Sequence, residues 1–201
     1  MKKIVLASKS IDRKEILERS KIPFEVLSID VDEEPYKAKI FSPIELIRKL
    51  SEIKALHAKD LLIKQKKDAI IIAADTIVVF ENEIIGKGND EKEAFRILKK
   101  LSGQTHELMT GITITETSSS SIIIDHDITQ VEFLNLSDDE IWGYIRTGEW
   151  RGRAGAYSLR ERASIFIKSI RGSPSNVIGL PMHKLYAFLK NNFALNLLTV
   201  S

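Results

Sequence analysis

Cysteine is absent from this chain of 201 residues. That excludes a disulfide framework, thiolate-ligated zinc and a thiol nucleophile, and it fits a reducing compartment. No apolar stretch approaches the ~20 residues a membrane-spanning helix needs. The chain enters its first strand too early for a signal peptide, so a soluble cytoplasmic protein with no membrane partner is expected. Charge of one sign is not in excess either. The formal net charge of +2 gives no argument for a nucleic-acid partner, and the basic run Lys64-Gln65-Lys66-Lys67 reads as a solvated helix end. The spacing of a phosphate-binding P-loop is missing, as is a Gly-x-Gly-x-x-Gly dinucleotide fingerprint. His57, His106, His126 and His183 lack metal-ligand spacing, and no Gly-x-Ser-x-Gly marks a serine hydrolase. Zinc and acyl-enzyme chemistry are thereby disfavoured.

What is present is an ordinary globular balance, 43% hydrophobic and 29% charged, long enough to bury roughly 70% of the unfolded chain's surface. Hydropathy predicts a strand at Lys3–Ala7, a helix at Ile11–Ser20 and a strand at Phe24–Ile29. An acidic loop, Asp30-Val31-Asp32-Glu33-Glu34-Pro35, follows. Ser42 caps a helix from Pro43 to about Lys59, with Glu45 at its third position. Ile70–Phe80 is a strongly apolar strand, and Asn82–Ile85 pairs with it as a hairpin. Asp90–Leu101 is a helix closed by Gly103. Two alternating runs, Glu107–Thr117 and Ile122–Leu136, are joined by four serines. The capping box Ser137-Asp138-Asp139-Glu140 opens a helix to about Arg146; a strand at Ala163–Ile170 and a helix at Pro181–Asn191 complete the chain. Helices mixed with both sequential and crossover strands predict a single α/β domain, residues 1–201, built on a mixed sheet and bilobal in form.

Several residues break these patterns. Asp75 lies inside a run that reads as a strand buried on both faces, where a lone carboxylate must be paired, hydrogen-bonded or metal-bound. It is either a structural carboxylate capping a neighbour or a general base or metal ligand. Lys54 interrupts the apolar stripe Ile47, Leu50, Ala58, Leu61; it either snorkels to water or points at a phosphate. Glu33 sits among Asp30, Asp32 and Glu34, a set that suits a hard divalent cation or a solvated turn. Lys87, in Gly86-Lys87-Gly88, is a lysine in a turn whose amides can face an anion. Ser10 is a helix N-cap, yet Arg13 occupies the position where a capping box wants Glu or Gln. A cation there opposes the helix dipole by about 0.3–1 kcal/mol. Together with Ser8, these cations and hydroxyls suit a polyphosphate, and the acids suit its divalent ion and water activation. The inventory is that of a phosphoanhydride-cleaving site.

"LASKSIDRKEIL" resembles the Leu-Ala-Ser-x-Ser-x-x-Arg opening of the Maf (septum formation inhibitor) family. "AADTIVV", "LSGQTHELMTGI", "AGAYSL" and "GSPSNVIGLP" are similar to further blocks of that family in the same order, from Ile4 to Leu185. The resemblance implies a nucleoside triphosphate pyrophosphatase acting on a noncanonical or pyrimidine nucleotide and releasing the monophosphate and pyrophosphate. It also implies an elongated mixed, twisted sheet with flanking helices and a cleft between two lobes, as in inosine triphosphatases, and a homodimer. By resemblance Asp75 is the general base, and Glu33 and Asp75 hold a divalent metal (Mg²⁺, Mn²⁺ or Co²⁺). Ser8, Ser10, Arg13, Lys54 and Lys87 bind the triphosphate. The family's name suggests the rival, a nucleotide- or nucleic-acid-binding regulator of septum formation. A buried acid beside a polyphosphate disfavours that reading, because it would repel the ligand unless a metal intervened.

Three positions depart from the familiar pattern. Asp12 stands where an arginine is usual, Arg160 where a glutamine is, and Gly88 where a proline is. By the resemblance, Asp12 and Arg160, with Thr76, occupy positions that contribute to substrate choice in the family. If Arg160 replaces the cation missing at position 12, Arg160→Gln is expected to raise the KM for the triphosphate about tenfold, the worth of one charged hydrogen bond. Steady-state kinetics with an unchanged KM would overturn this exchange.

Overall fold

The computed structural model describes residues 2–40 and 42–199; positions 1, 41, 200 and 201 of the expected domain lie outside the described residues. The first strand, β1 (Lys3–Ala7), leads into α1 (Ile11–Arg19), as the hydropathy predicts, and then into β2 (Glu25–Leu27), shorter than expected. The acidic stretch is not all loop: Glu34–Lys37 forms a short helix, α2, with Pro35 in its first turn. The long helix α3 (Pro43–Lys64) is capped by Ser42 and runs past Lys59, leaving the basic run as its exposed end.

Next come β3 (Ala69–Phe80), its hairpin partner β4 (Glu83–Ile85), α4 (Glu91–Leu101), β5 (Thr105–Glu116), β6 (Ile122–Phe133) and α5 (Asp138–Ile145). The capping box at Ser137 forms as read, with Glu140 accepting from the Ser137 backbone amide. The predicted strand from Ala163 begins later: residues 162–165 make a 3₁₀ turn, and β7 spans Ile167–Arg171. A short helix, α6 (Pro174–Ile178), was not legible in the hydropathy, and α7 (Met182–Phe193) closes the described chain.

Among the described residues seven strands form one mixed sheet, ordered β2-β1-β3-β5-β6-β7 with β4 on β3. β1 is parallel to both β2 and β3, whereas β4 on β3 and β7 on β6 are antiparallel. The chain divides into two compact units inside its long strands. One comprises Met1–Asp75, Thr110–Asp127 and Gly179–Ser201, the other Thr76–Met109 and Ile128–Ile178.

In the first unit strand alternation sorts the core onto two faces. Ile70, Ile72 and Ala74 pack with Ile4 and Leu6 beneath Leu17 of α1 and Leu185 and Leu189 of α7. Ala69, Ile71 and Ala73 pack with Val5 and Ala7 beneath Ala55, Ala58 and Leu62 of α3. Near-continuous apolar strands are what a sheet covered on both faces requires. The approach of α3 depends on Gly111 of β5, where a Cβ would lie 2.2 Å from the Ile47 carbonyl oxygen. Further along, Ser51 Oγ meets Thr113 Oγ1 at 2.8 Å, and Lys59 Nζ donates to the Ser119 carbonyl. These contacts set the axial position of α3, and with it Lys54.

The second unit packs Val78, Leu98, Leu101, Val131, Phe133, Ile141 and Trp150 into one core. His106 lies within it, its Nε2 2.9 Å from the Tyr157 hydroxyl and its ring edge-on to Phe133. It is a core histidine, and burial pushes its pKa from 6.5 down to about 4.

Two tests follow from this packing. Gly111→Ala is expected to lower stability by about 2 kcal/mol or more, a cost of overpacking, in denaturant unfolding. For His106, the unfolded chain binds the proton near pH 6.5 and the folded chain only near 4. Stability is therefore complete above 6.5 and falls as pH drops from there toward 4, by about 3 kcal/mol at ~1.36 kcal/mol per pH unit. His106→Gln removes that component of the pH dependence.

Candidate functional site

In a parallel set of strands, ligands gather beyond the carboxyl ends, where chains diverge into loops and helix N-termini. β1, β2 and β3 bring several of the singled-out residues to this end of the first unit. Leu6 of β1 pairs with Ile72, so Asp75 stands past the last of these pairs, where β1 has turned through Ser8–Ser10 into α1. Its parity matches Ala73 and Ile71, which places it on the sheet face covered by α3.

Lys54 of α3 meets it there. Lys54 Nζ is 2.5 Å from Asp75 Oδ1 and 2.8 Å from Glu33 Oε1. The lysine side chain is only 15% exposed and that of Asp75 14%, so this ammonium does not snorkel to water. Glu33, at the start of α2, also receives Lys37 Nζ at 3.2 Å. Burial raises the Glu33 pKa, but Lys54 and Lys37 outweigh it and hold the carboxyl below its ordinary value.

The other acids of the stretch have separate partners. Asp30 pairs with Lys9 at 2.8 Å, Asp32 accepts the Glu34 amide, and Glu34 pairs with Lys37. The expected carboxylate cluster therefore resolves into one inward acid, Glu33. Among the described residues no group of three or more His, Asp or Glu side chains is placed to hold a metal ion; the acids converging on Lys54 are Glu33 and Asp75.

Ser10 caps α1 as its type predicts, accepting the Arg13 amide at 3.4 Å. Ser8 Oγ accepts the Ser10 amide at 3.1 Å and Arg13 Nη1 at 3.3 Å. The Arg13 guanidinium is buried, and its Nε donates to the Gly179 carbonyl at 2.7 Å. Burial lowers its pKa, against the opposing fields of Asp75, Asp12 and Glu33. Those acids offset the misfit between a cation and a helix N-terminus before any ligand is considered. Gly179, whose φ of +104° suits glycine alone, holds Arg13 in a way that was not legible in the chain. The one available signal was a glycine two residues ahead of Pro181. The pairing of Lys37 with Glu33, four residues apart across α2, was likewise not legible.

The family model described as "Maf-like protein" matches residues 3–192. This chain belongs to the Maf-like protein family. A protein of Alkaliphilus metalliredigens named "dTTP/UTP pyrophosphatase" is 43% identical over 98% of this chain and 100% of its own length. One of the same name from Alkaliphilus oremlandii is 42% identical over the same shares. A third, from Ruminiclostridium cellulolyticum, is 41% identical over 92% of this chain and 93% of its own. Among solved structures, the Staphylococcus aureus Ham1 protein matches with a TM-score of 0.42 at 16% identity, covering 67% of this chain and 73% of that one. A likeness at that level bears on neither fold nor function.

The Maf blocks thus fall where the geometry lies: the opening block supplies the β1–α1 turn, and Ala-Asp-Thr supplies Asp75. Thr76, Lys87 and Arg160 belong to the second unit. Lys87 is exposed, and its segment is no open turn: Lys87 bridges Ala154, and the Gly155 amide donates to the Gly86 carbonyl at 3.1 Å. Gly88 is buried, and a Cβ there would lie 3.1 Å from the Ala94 backbone. Thr76, Arg160 and Asp12 are all half-buried.

Proposed function

We propose that this Maf-family protein hydrolyses a nucleoside triphosphate to the monophosphate and pyrophosphate, with dTTP or UTP as preferred substrate. The observation that carries it is the pair Asp75 and Glu33 on one cationic nitrogen, beside the buried Arg13, in a chain with dTTP/UTP pyrophosphatase relatives of about 40% identity. A binder that takes the bare nucleotide has no use for two acids at a polyphosphate site, because they repel it unless a metal intervenes.

The side chains suit a divalent ion. Two hard oxygen donors from different elements already converge on a cation. One or two carboxylates plus substrate phosphates is how Mg²⁺ is commonly bound. Glu33 and Asp75 would hold the ion, Mg²⁺, Mn²⁺ or Co²⁺, which when bound supplies charge neutralisation at the phosphates and a more acidic water. Asp75 removes the proton of the water that attacks the α-phosphorus. Ser8, Ser10, Arg13, Lys54 and Lys87 bind the triphosphate, their cations answering its charge. Thr76, Asp12 and Arg160 bear on the choice of base. A homodimer in the cytoplasm accompanies this reading through the family. Among the described residues no helix is long and apolar enough to cross a membrane.

A nucleotide panel with product identification tests the proposal. Pyrophosphate, not orthophosphate, is expected, most rapidly from dTTP and UTP. Asp75→Asn should lower kcat by about 10²–10⁴-fold, the usual worth of a general base, with circular dichroism unchanged. A fully active variant would remove Asp75 from that role.

A further inference from the structure

We propose that Lys54 is a resident counter-ion that keeps a divalent cation off Glu33 and Asp75 until a triphosphate draws it away; this rests on the metal-binding reading of those two acids. Its Nζ lies 2.8 Å from one carboxylate and 2.5 Å from the other, and its side chain is largely buried. The ammonium therefore fills the space between the two acids and balances charge that burial would otherwise penalise. A divalent ion ligated by the same oxygens, at ~2.0–2.1 Å for Mg²⁺, would stand within a few ångströms of Nζ. Like charges at that separation in a poorly hydrated site repel strongly. Ion and ammonium thus exclude one another on the same carboxylates.

Phosphate oxygens relieve the exclusion. An ammonium carries donors and no acceptor, so on leaving the acids it needs new acceptors, and a triphosphate supplies them. Lys54 then passes from carboxylates to phosphate as the ion takes its place. Cation and triphosphate reinforce each other's binding, and reciprocity requires the coupling to be mutual. The nucleotide-free protein stays metal-poor, its general base masked by an ion pair. Lys37, more exposed and paired with Glu33 and Glu34, holds only the outer edge of this arrangement.

Mn²⁺ binding to the full-length, nucleotide-free protein tests the inference, measured by calorimetry and by the loss of the free-ion paramagnetic resonance signal. Lys54→Met is expected to bind Mn²⁺ at least tenfold more tightly than the parent, with a larger rise in Tm on adding Mn²⁺. Lys54→Gln, which retains an amide donor, carries the same expectation if the methionine variant does not fold. Lys37→Met should change the affinity less than threefold. Equal or weaker binding by both Lys54 variants would overturn the proposal, as would an equal gain in Lys37→Met, which would reduce the effect to net charge. Adding Asp75→Asn to Lys54→Met should abolish the gain. A gain that persisted there would place the ion elsewhere and overturn the metal-site reading as well. Turnover of dTTP by the parent with no gain in either Lys54 variant would sink the counter-ion alone.

Discussion

The ammonium of Lys54 between Glu33 and Asp75 is the contact around which the first unit's carboxyl-end geometry is arranged. Three elements with separate reasons to exist meet at that nitrogen. β3 must be apolar on both faces to serve as an interior strand, and Asp75 is tolerated only where β1 has already turned away. α3 must present small side chains to the sheet, and Ala55 and Ala58 do so while Lys54 reaches past them. The α2 turn must bring one acid inward, and its other acids are occupied by Lys9, Lys37 and a backbone amide. Removing the ammonium would leave two partly buried carboxylates facing one another without compensation, a costlier state than the intact pair.

The contacts that make this meeting reproducible lie some distance from it. Gly111 lets the backbone of α3 approach β5, and the Ser51–Thr113 hydroxyl pair locks the helix against sliding. A side chain two helical turns beyond Ile47 is then delivered to a strand residue within a hydrogen bond's tolerance. Arg13 is fixed in a comparable way, from a distant stretch of chain, by the carbonyl of Gly179. Both cations are thus positioned by backbone features that carry no charge. This is how a polar site is preorganised without relying on mobile surface side chains.

Much of this was legible from residue types alone. The turn from β1 into α1 with Ser10 as cap, the interior strand with its misplaced acid, the lysine inside an apolar stripe and the capping box at Ser137 all follow from local chemistry. The short helices α2 and α6 escaped because four or five residues cannot show a helical period, and each contains proline near its start. The acidic run looked like a cluster because adjacency in sequence says nothing about which carboxylates turn inward. The place of His106 in an aromatic core was not legible, because it depends on Phe133 and Tyr157, distant in the chain.

By itself the sequence determined the α/β class, the Maf family and the inventory of hydroxyls, cations and acids suited to a polyphosphate. Those are properties of residue type, spacing and ordered motifs, and they survive without coordinates. Only the tertiary structure decided that Lys54 rests on carboxylates, that Glu33 alone of its run faces Asp75, and that Arg13 is buried against Gly179. The reason is physical. An ion pair depends on distance and desolvation, and both are set by the packing of helices against the sheet, which no local pattern encodes.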